Sequence, residues 1–339
     1  MNINVLAIDI AKNVFQLCGI SSTGKIVKEC RVSRTKLLST VRDLSPDVVA
    51  MEACGSANYW AREFAKWDIE VKLIAPQYVK PFVKGNKNDK QDARGIAEAS
   101  QRPTMRFVSP KTIEQQDMQS LLRIREGYIA MRVKVCNQIR GLLAEYGITI
   151  PQTIKHVRMK LPTIFDRNVN NGLTEQMKAL LEMQYSMLLV LDENIDCCDI
   201  DVANVAASNE VCQRLQAIEG VGQLTAIAVV SVVGNGAAFK NGRHFSAYLG
   251  LVPRQYSSGE KHRLQGISKR GDDYIRQLLV HGGRSVARTA DKKTDARNVW
   301  VTRLKQERGY NKAAVAVANK NARIMLSMIK SGEDYRKVV

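Results

Sequence analysis

The chain has 339 residues, 45% hydrophobic and 25% charged, long enough to bury the cores of two domains and a connector. Its 51 Lys and Arg against 33 Asp and Glu leave a formal charge of +18 and a pI near 9.7. With no apolar run of membrane length, that excess favours nucleic acid over lipid as the partner. Seven cysteines, an odd number without a Cys-x-x-Cys pair, argue against a disulfide framework or a zinc site. The opening MNINVLAID lacks the basic stretch of a secretion signal, so the expectation is a soluble protein of a reducing cytoplasm.

The first 105 residues alternate strand and helix patterns. Residues 3–10, 14–20 and 26–32 are apolar, β-branched runs, the last two separated by the turn Ser22-Thr23-Gly24-Lys25, so three antiparallel strands open the chain. A helix over 33–43, a buried strand over 47–52, a helix over 57–67 and a strand over 69–75 follow. Pro76 interrupts, and another helix starts near Asp89. The order β-β-β-α-β-α-β-α is that of a ribonuclease-H-like (RuvC-like) α/β fold, which would set the first and fourth strands side by side.

Four acids stand out in this region. Asp9 closes the apolar run of NVLAIDIAK and Glu52 that of DVVAMEACG, positions where a charge is costly unless paired or bound to metal. In KGNKNDKQDARGIAEA, residues 84–99, Asp89 and Asp92 are three apart and share a helix face. Alone, that pair also fits a solvated first turn favoured by the helix dipole, with Asn88 or Asp89 as its cap. The four together suggest a cation site.

Between 113 and 149, Leu121, Ile124, Tyr128, Met131, Val135, Ile139, Leu142 and Tyr146 recur every three or four residues, predicting a helix on the order of 50 Å long. Gly147 and Pro151 end it. A looser stretch with Pro162 and Asn168-Val169-Asn170-Asn171-Gly172 leads to a second helix striped by Met177, Leu181, Leu188, Leu191 and Ile195. The pair reads as an intramolecular hairpin or as a coiled-coil arm between copies of the chain, and the expectation is oligomerisation.

Residues 215–226, LQAIEGVGQLTA, read as helix, glycine-rich turn, helix. The wording resembles a helix-hairpin-helix element, in which Gly220 and Gly222 would let backbone N–H groups approach a phosphate; a plain turn between packed helices is the alternative. Beyond it the charge concentrates: residues 249–339 hold 20 Lys or Arg against 8 Asp or Glu, a net +12 of the chain's +18. There GLVPRQYSSGEKHRLQGISKRGDDYIRQLL sets a Ser-Ser-Gly turn among Arg254, Lys261, His262, Arg263, Lys269 and Arg270. Cations to stabilise a transition state and a serine to attack phosphorus suit a phosphodiester. Arg276, His281, Arg284 and Arg288 lie on a helix that would track a backbone, and a final helix over 311–330, rich in small residues, reads as core.

LAIDIAK, MEACG and NKNDKQDA, with the G-L-x-P and S-G wording farther on, resemble the Piv-like DEDD transposases, insertion-sequence family 110, over essentially the whole chain. The resemblance implies a ribonuclease-H-like domain at 1–105, a helical stalk or coiled coil at 106–205, and a basic, mainly α transposase domain at 206–339. It implies that Asp9, Glu52, Asp89 and Asp92 hold two Mg²⁺ ions, which clamp the attacking and leaving oxygens of a phosphoryl transfer. The family's nucleophile carries over to Ser258, with Ser257 leaving an ambiguity of one position. Donor and target DNA, a bridge RNA, a homo-oligomer built as a dimer of dimers, a site composed of acids and serine, and a bacterial, nucleoid-associated location are implied in the same way.

Three other readings stay open from the residues. A Mg²⁺-dependent, junction-resolvase-like nuclease would use the acids and water without a covalent intermediate. An actin-like or sugar-kinase-like ATP-binding protein would need a glycine-rich phosphate loop, which IDIAKNVF lacks. A non-catalytic RNA-binding protein would leave the four acids unexplained.

Overall fold

The computed structural model describes residues 2–84, 88–166, 171–258 and 261–336, with the side chains of Lys261 and His262 outside the description. It divides into two compact units, Met1–Glu114 with Asn235–Lys240, and Gln115–Gly234 with Asn241–Val339.

The first unit is a mixed sheet with helices on both faces. Strands β1 (Val5–Asp9), β2 (Val14–Ile20) and β3 (Ile26–Ser33) form the expected antiparallel meander. Helix α1 (Leu37–Leu44), β4 (Val48–Glu52), α2 (Ala57–Ala65) and β5 (Glu70–Ile74) follow, then the short α3 (Pro76–Val79), α4 (Asp89–Ser100) and β6 (Phe107–Val108). The strand order is β3-β2-β1-β4-β5-β6. As expected, β1 and β4 are neighbours; they run parallel in the register Val5↔Val48 to Ile8↔Met51.

Alternation along these strands sends Leu6, Ile8, Val49 and Met51 to one face, where Leu37, Val41, Trp60 and Phe64 cover them. Val5, Ala7, Val48 and Ala50 face the other way, onto Ala93, Ile96 and Ala97 of α4. Pro76 does not interrupt; it is the first residue of α3, where its missing N–H costs nothing. The two-residue β6, antiparallel to β5, is too short to leave a periodic signal.

The second unit is mostly helical. Helix α5 (Ile113–Ala144) spans 32 residues, about 48 Å at the usual rise. The stretch around Pro162, expected to be loose, is helix α6 (Ile154–Ile164), capped by Thr153; Pro162 falls in its last turn, and Asn168 to Asn170 lie outside the described residues. Helix α7 (Glu175–Ser208) returns alongside α5: Arg125 pairs with Asp199 and Arg132 with Asp192, so the two run antiparallel. Cys136, Ile139, Leu143, Val157, Leu161, Leu181 and Leu188 form one core among the three helices. The hairpin is therefore intramolecular.

Helices α8 (Glu210–Gln216), α9 (Gln223–Val233) and α10 (Gly242–Tyr248) lead to a hairpin of β7 (Pro253–Ser258) and β8 (Lys261–Ile267). Helices α11 (Asp273–Thr289), α12 (Ala296–Arg308) and α13 (Tyr310–Ser331) complete the unit. As its small residues suggested, α13 is core: Ala313, Ala314, Val317, Ala318 and Ala322 are buried, and Gly283 of α11 lies so close that a Cβ there would be 2.2 Å from the Ala314 carbonyl oxygen. No described helix is long and apolar enough to cross a membrane.

Candidate active site

Strand parity decides where the acids point. Asp9 follows Val5 and Ala7, and Glu52 follows Val48 and Ala50, so both carboxylates project from the sheet face that α4 covers, at the C-terminal ends of adjacent parallel strands. Helix α4 begins at Asp89, with the Asn88 side chain accepting a hydrogen bond from the Gln91 amide at 2.9 Å, and carries Asp89 and Asp92 in its first turn.

Two ion-pair sets fix which end of the sheet that turn occupies. Arg31 lies opposite Gln16, and Gln16 opposite Asp9, so the three form one row on one face; Arg31 is 3.8 Å from Asp89. Glu29, in the next row opposite Cys18, accepts from Arg94 at 2.6 and 3.0 Å and from Lys90 at 3.0 Å. The Arg94 hydrogen bond holds the Glu29 carboxyl below its ordinary range. The N-terminus of α4 thus sits at the Asp9 and Glu52 end, and all four acids share one end and one face of the sheet. Residues 85–87 of the stretch leading into α4 lie outside the described residues.

Among the described residues no three carboxylate, thiol or imidazole groups stand close enough to form a ready-made ligand cluster, Asp89 being turned toward Arg31. The donor set is nonetheless one for a hard divalent cation, carboxylate oxygens throughout. Cys54, just past Glu52, has its thiol pKa pushed up by burial and then by the charges of Glu52 and Asp9. Glu29, Arg31 and Arg94 were missed in the sequence. Their signal is weak: an acid and a cation two apart on one face of a strand, and two cations four apart on α4.

In the second unit Ser257 and Ser258 are not turn residues; they close β7, and Gly259 lies outside the described residues. The register Tyr256↔Arg263, Ser257↔His262 and Ser258↔Lys261 puts Tyr256, Ser258 and Arg263 on one face and Gln255 and Ser257 on the other. Ser257 accepts a hydrogen bond from the Gln255 side chain at 2.9 Å. Arg254, at the irregularity after Pro253, is exposed, as are Arg263, Lys269 and Arg270; the Lys261 side chain lies outside the description.

Arg276, expected at a phosphate, is instead 11% exposed and spends its guanidinium on the Leu249 and Arg270 carbonyls, at 3.0 and 3.1 Å, and on Asp273. It shapes the turn that presents Lys269 and Arg270. His281, Arg284 and Arg288 line the exposed face of α11.

The two glycines of the 215–226 element also part company. Gly220, at φ +81°, packs against α11, where an added Cβ would meet the Gly282 carbonyl at 2.7 Å. Gly222, at the N-terminus of α9, has open space around it. The turn is tied down by Glu219, whose carboxylate accepts from Lys293 at 2.8 Å and from Asn298 at 3.0 Å.

A mixed sheet bearing carboxylates at one end, followed by a basic and mostly helical region, is the equipment of an enzyme acting on phosphodiesters. Residues 6–148 match the DEDD transposase family and residues 212–298 the transposase IS116/IS110/IS902 family. The chain is 48% identical to the transposase for insertion sequence element IS1111A of Coxiella burnetii, over 99% of its own length and 92% of that protein's. It is 42% identical to a probable family 20 transposase of Pseudomonas aeruginosa, over 99% of both chains, and 23% identical to a pilin gene-inverting protein of Moraxella lacunata, over 82% of this chain and 81% of the other. The chain belongs to the IS110 family of transposases, enzymes that cut DNA and transfer its strands.

Proposed function

We propose that this transposase cuts and rejoins strands through a covalent bond to Ser258, with Asp9, Glu52, Asp89 and Asp92 holding divalent cations, two Mg²⁺ per site. The observation that carries it is that all four acids lie at one end and on one face of the sheet. Strand order β3-β2-β1-β4-β5, with acids ending β1 and β4, supports a ribonuclease-H-like domain. Cations held there would stabilise charge on the attacking and leaving oxygens. Arg31 neutralises Asp89 in the free chain, as a cation otherwise would.

The Ser258 Oγ attacks phosphorus and gives up its proton; the P–O bond to one strand end breaks, and that end leaves as a hydroxyl. The phosphoserine ester conserves the energy of the broken bond, so a hydroxyl end of a new strand can reverse the step without ATP. Ser258 is preferred over Ser257 because it shares a face with Arg263, whose charge suits a developing phosphorane, while Ser257 is engaged with Gln255. Arg254, Lys261, Arg263, Lys269 and Arg270 would contact phosphates, and the Gly222 amide region would add a backbone contact.

A bridge RNA as guide and a homo-oligomeric assembly belong to the same reading, as do a nucleoid-associated, cytoplasmic location and the division at residues 105 and 205. Leu180, Met183, Met187 and Val190, spaced three and four apart and 45–68% exposed on α7, support the oligomer, dimer or tetramer.

Labelled DNA incubated with enzyme and Mg²⁺, then run on denaturing gels with peptide mapping, tests the chemistry. Wild type should give an adduct on Ser258 and Ser258→Ala none. Cleavage by Ser258→Ala with free ends and no adduct would return the reading to a nuclease using water.

A further inference from the structure

A groove of about 950 Å³ lies between α10, α12 and α13 in the second unit, and Pro253 and Ile267, the base of the serine hairpin, form one wall. Arg243, Lys312, Lys320 and Arg323 line it, and among the described residues no acid does. Arg243, Lys312 and Arg323 are exposed and make no ion pair with a described residue. Other cations of this unit do have an acid, as Arg132 and Arg158 have Asp192 and Lys305 has Asp291. Cations kept together in a concave surface without a counter-ion among the described residues repel one another, an arrangement that a polyanion relieves.

The groove also holds the one tryptophan of this unit. Trp300 is half-buried, one side against the core of Val286, Ala290 and Val317, with the Lys320 ammonium over its ring at 4.6 Å from the centroid. An indole fixed from behind and capped in front by a lysine can serve as a stacking platform once the ammonium turns to a phosphate and leaves the ring face to a base. A base inside a duplex has no free face to offer, so a platform of this kind suits an unpaired strand.

We infer that this groove binds an unpaired DNA strand flanking the phosphodiester at Ser258, with Trp300 stacking a base and Arg243, Lys312 and Arg323 contacting its phosphates. Pro253 and Ser258 are five residues apart on β7, about 17 Å at strand rise. A strand leaving the groove along the hairpin therefore reaches the serine within a few nucleotides. The inference rests on the proposed role of Ser258 for where the strand leads, but not for what the groove binds.

The test measures anisotropy of a labelled 15-nucleotide mixed-sequence DNA, the same sequence as a duplex, and as RNA, against the full-length protein at several salt concentrations. Trp300→Ala should weaken binding of the single-stranded DNA roughly 5- to 150-fold, change duplex binding less than twofold, and be restored to within about threefold by Trp300→Phe. Lys312→Gln and Arg323→Gln, both at exposed positions, should each lower the salt slope by about 0.7. If Trp300→Ala fails to fold, the Phe and Gln variants carry the decision. Unchanged single-strand affinity and slope, equal loss for the duplex, or a larger loss for RNA than for DNA would each overturn the inference. Wild-type adduct formation, scored separately, tells this outcome from a failure of the serine mechanism.

Discussion

Glu29 should govern how firmly the acid-bearing helix is held, and Glu29→Gln isolates that effect because it removes the charge at nearly constant volume. The carboxylate receives two parallel hydrogen bonds from Arg94 and one from Lys90. Charge-assisted bonds of this kind contribute roughly 1.5–3 kcal/mol when shielded from water. The Arg94 and Lys90 side chains are 37% and 52% exposed, however, so solvent screening lowers the combined effect to about 1–2 kcal/mol. The substitution also leaves two cations beside Arg31 without their acid, which adds repulsion in the same direction.

A loss of about 1–2 kcal/mol makes local opening of α4 roughly 5- to 30-fold more frequent. Amide hydrogen exchange reads this directly, from Asp92 onward, whose amide makes the first i to i−4 bond of the helix, to the Asn88 carbonyl at 3.0 Å. Arg94→Gln should act in the same direction, and the double variant should cost less than the sum of the two single ones, because both remove the same ion pair. Independent, additive effects, or faster exchange spread evenly over the whole sheet rather than centred on α4, would refute the argument that this ion pair anchors the helix.

Two further outcomes are expected. Asp89→Asn and Glu52→Gln should each weaken divalent-cation binding measured by titration calorimetry and abolish plasmid recombination while leaving the circular dichroism spectrum unchanged; wild-type recombination in either would remove the acids from the mechanism. Gly282→Ala would put a Cβ 1.8 Å from the Gly220 carbonyl oxygen and should destabilise the protein by at least about 3 kcal/mol in denaturant unfolding, whereas Gly222→Ala, with open space around it, should stay within about 0.5 kcal/mol and lose affinity for DNA only if that backbone approaches a phosphate.

The alternation of buried β-branched residues made β1 to β5 legible in the sequence, because strands buried on both faces need long apolar runs and an acid at the end of such a run is conspicuous. Asp9 and Glu52 could be singled out for that reason, and Asp89 and Asp92 by their helical spacing. The sequence could not say that the four share one end of the sheet. That follows from the row Asp9, Gln16, Arg31 and the Arg31 to Asp89 ion pair, contacts between segments dozens of residues apart whose pairing leaves no local periodicity. The hairpin at Ser258 was hidden for a related reason: its strands are exposed and polar, so no apolar alternation marks them, and only cross-strand pairing shows that Ser257 and Ser258 face opposite ways. Composition likewise located the charge in the last quarter of the chain, but the sorting of its cations was decided by the fold. Arg276 is held by its own turn, and Arg243 of α10 joins Lys312 and Arg323 of α13 around the groove of Trp300 because α10, α12 and α13 pack there.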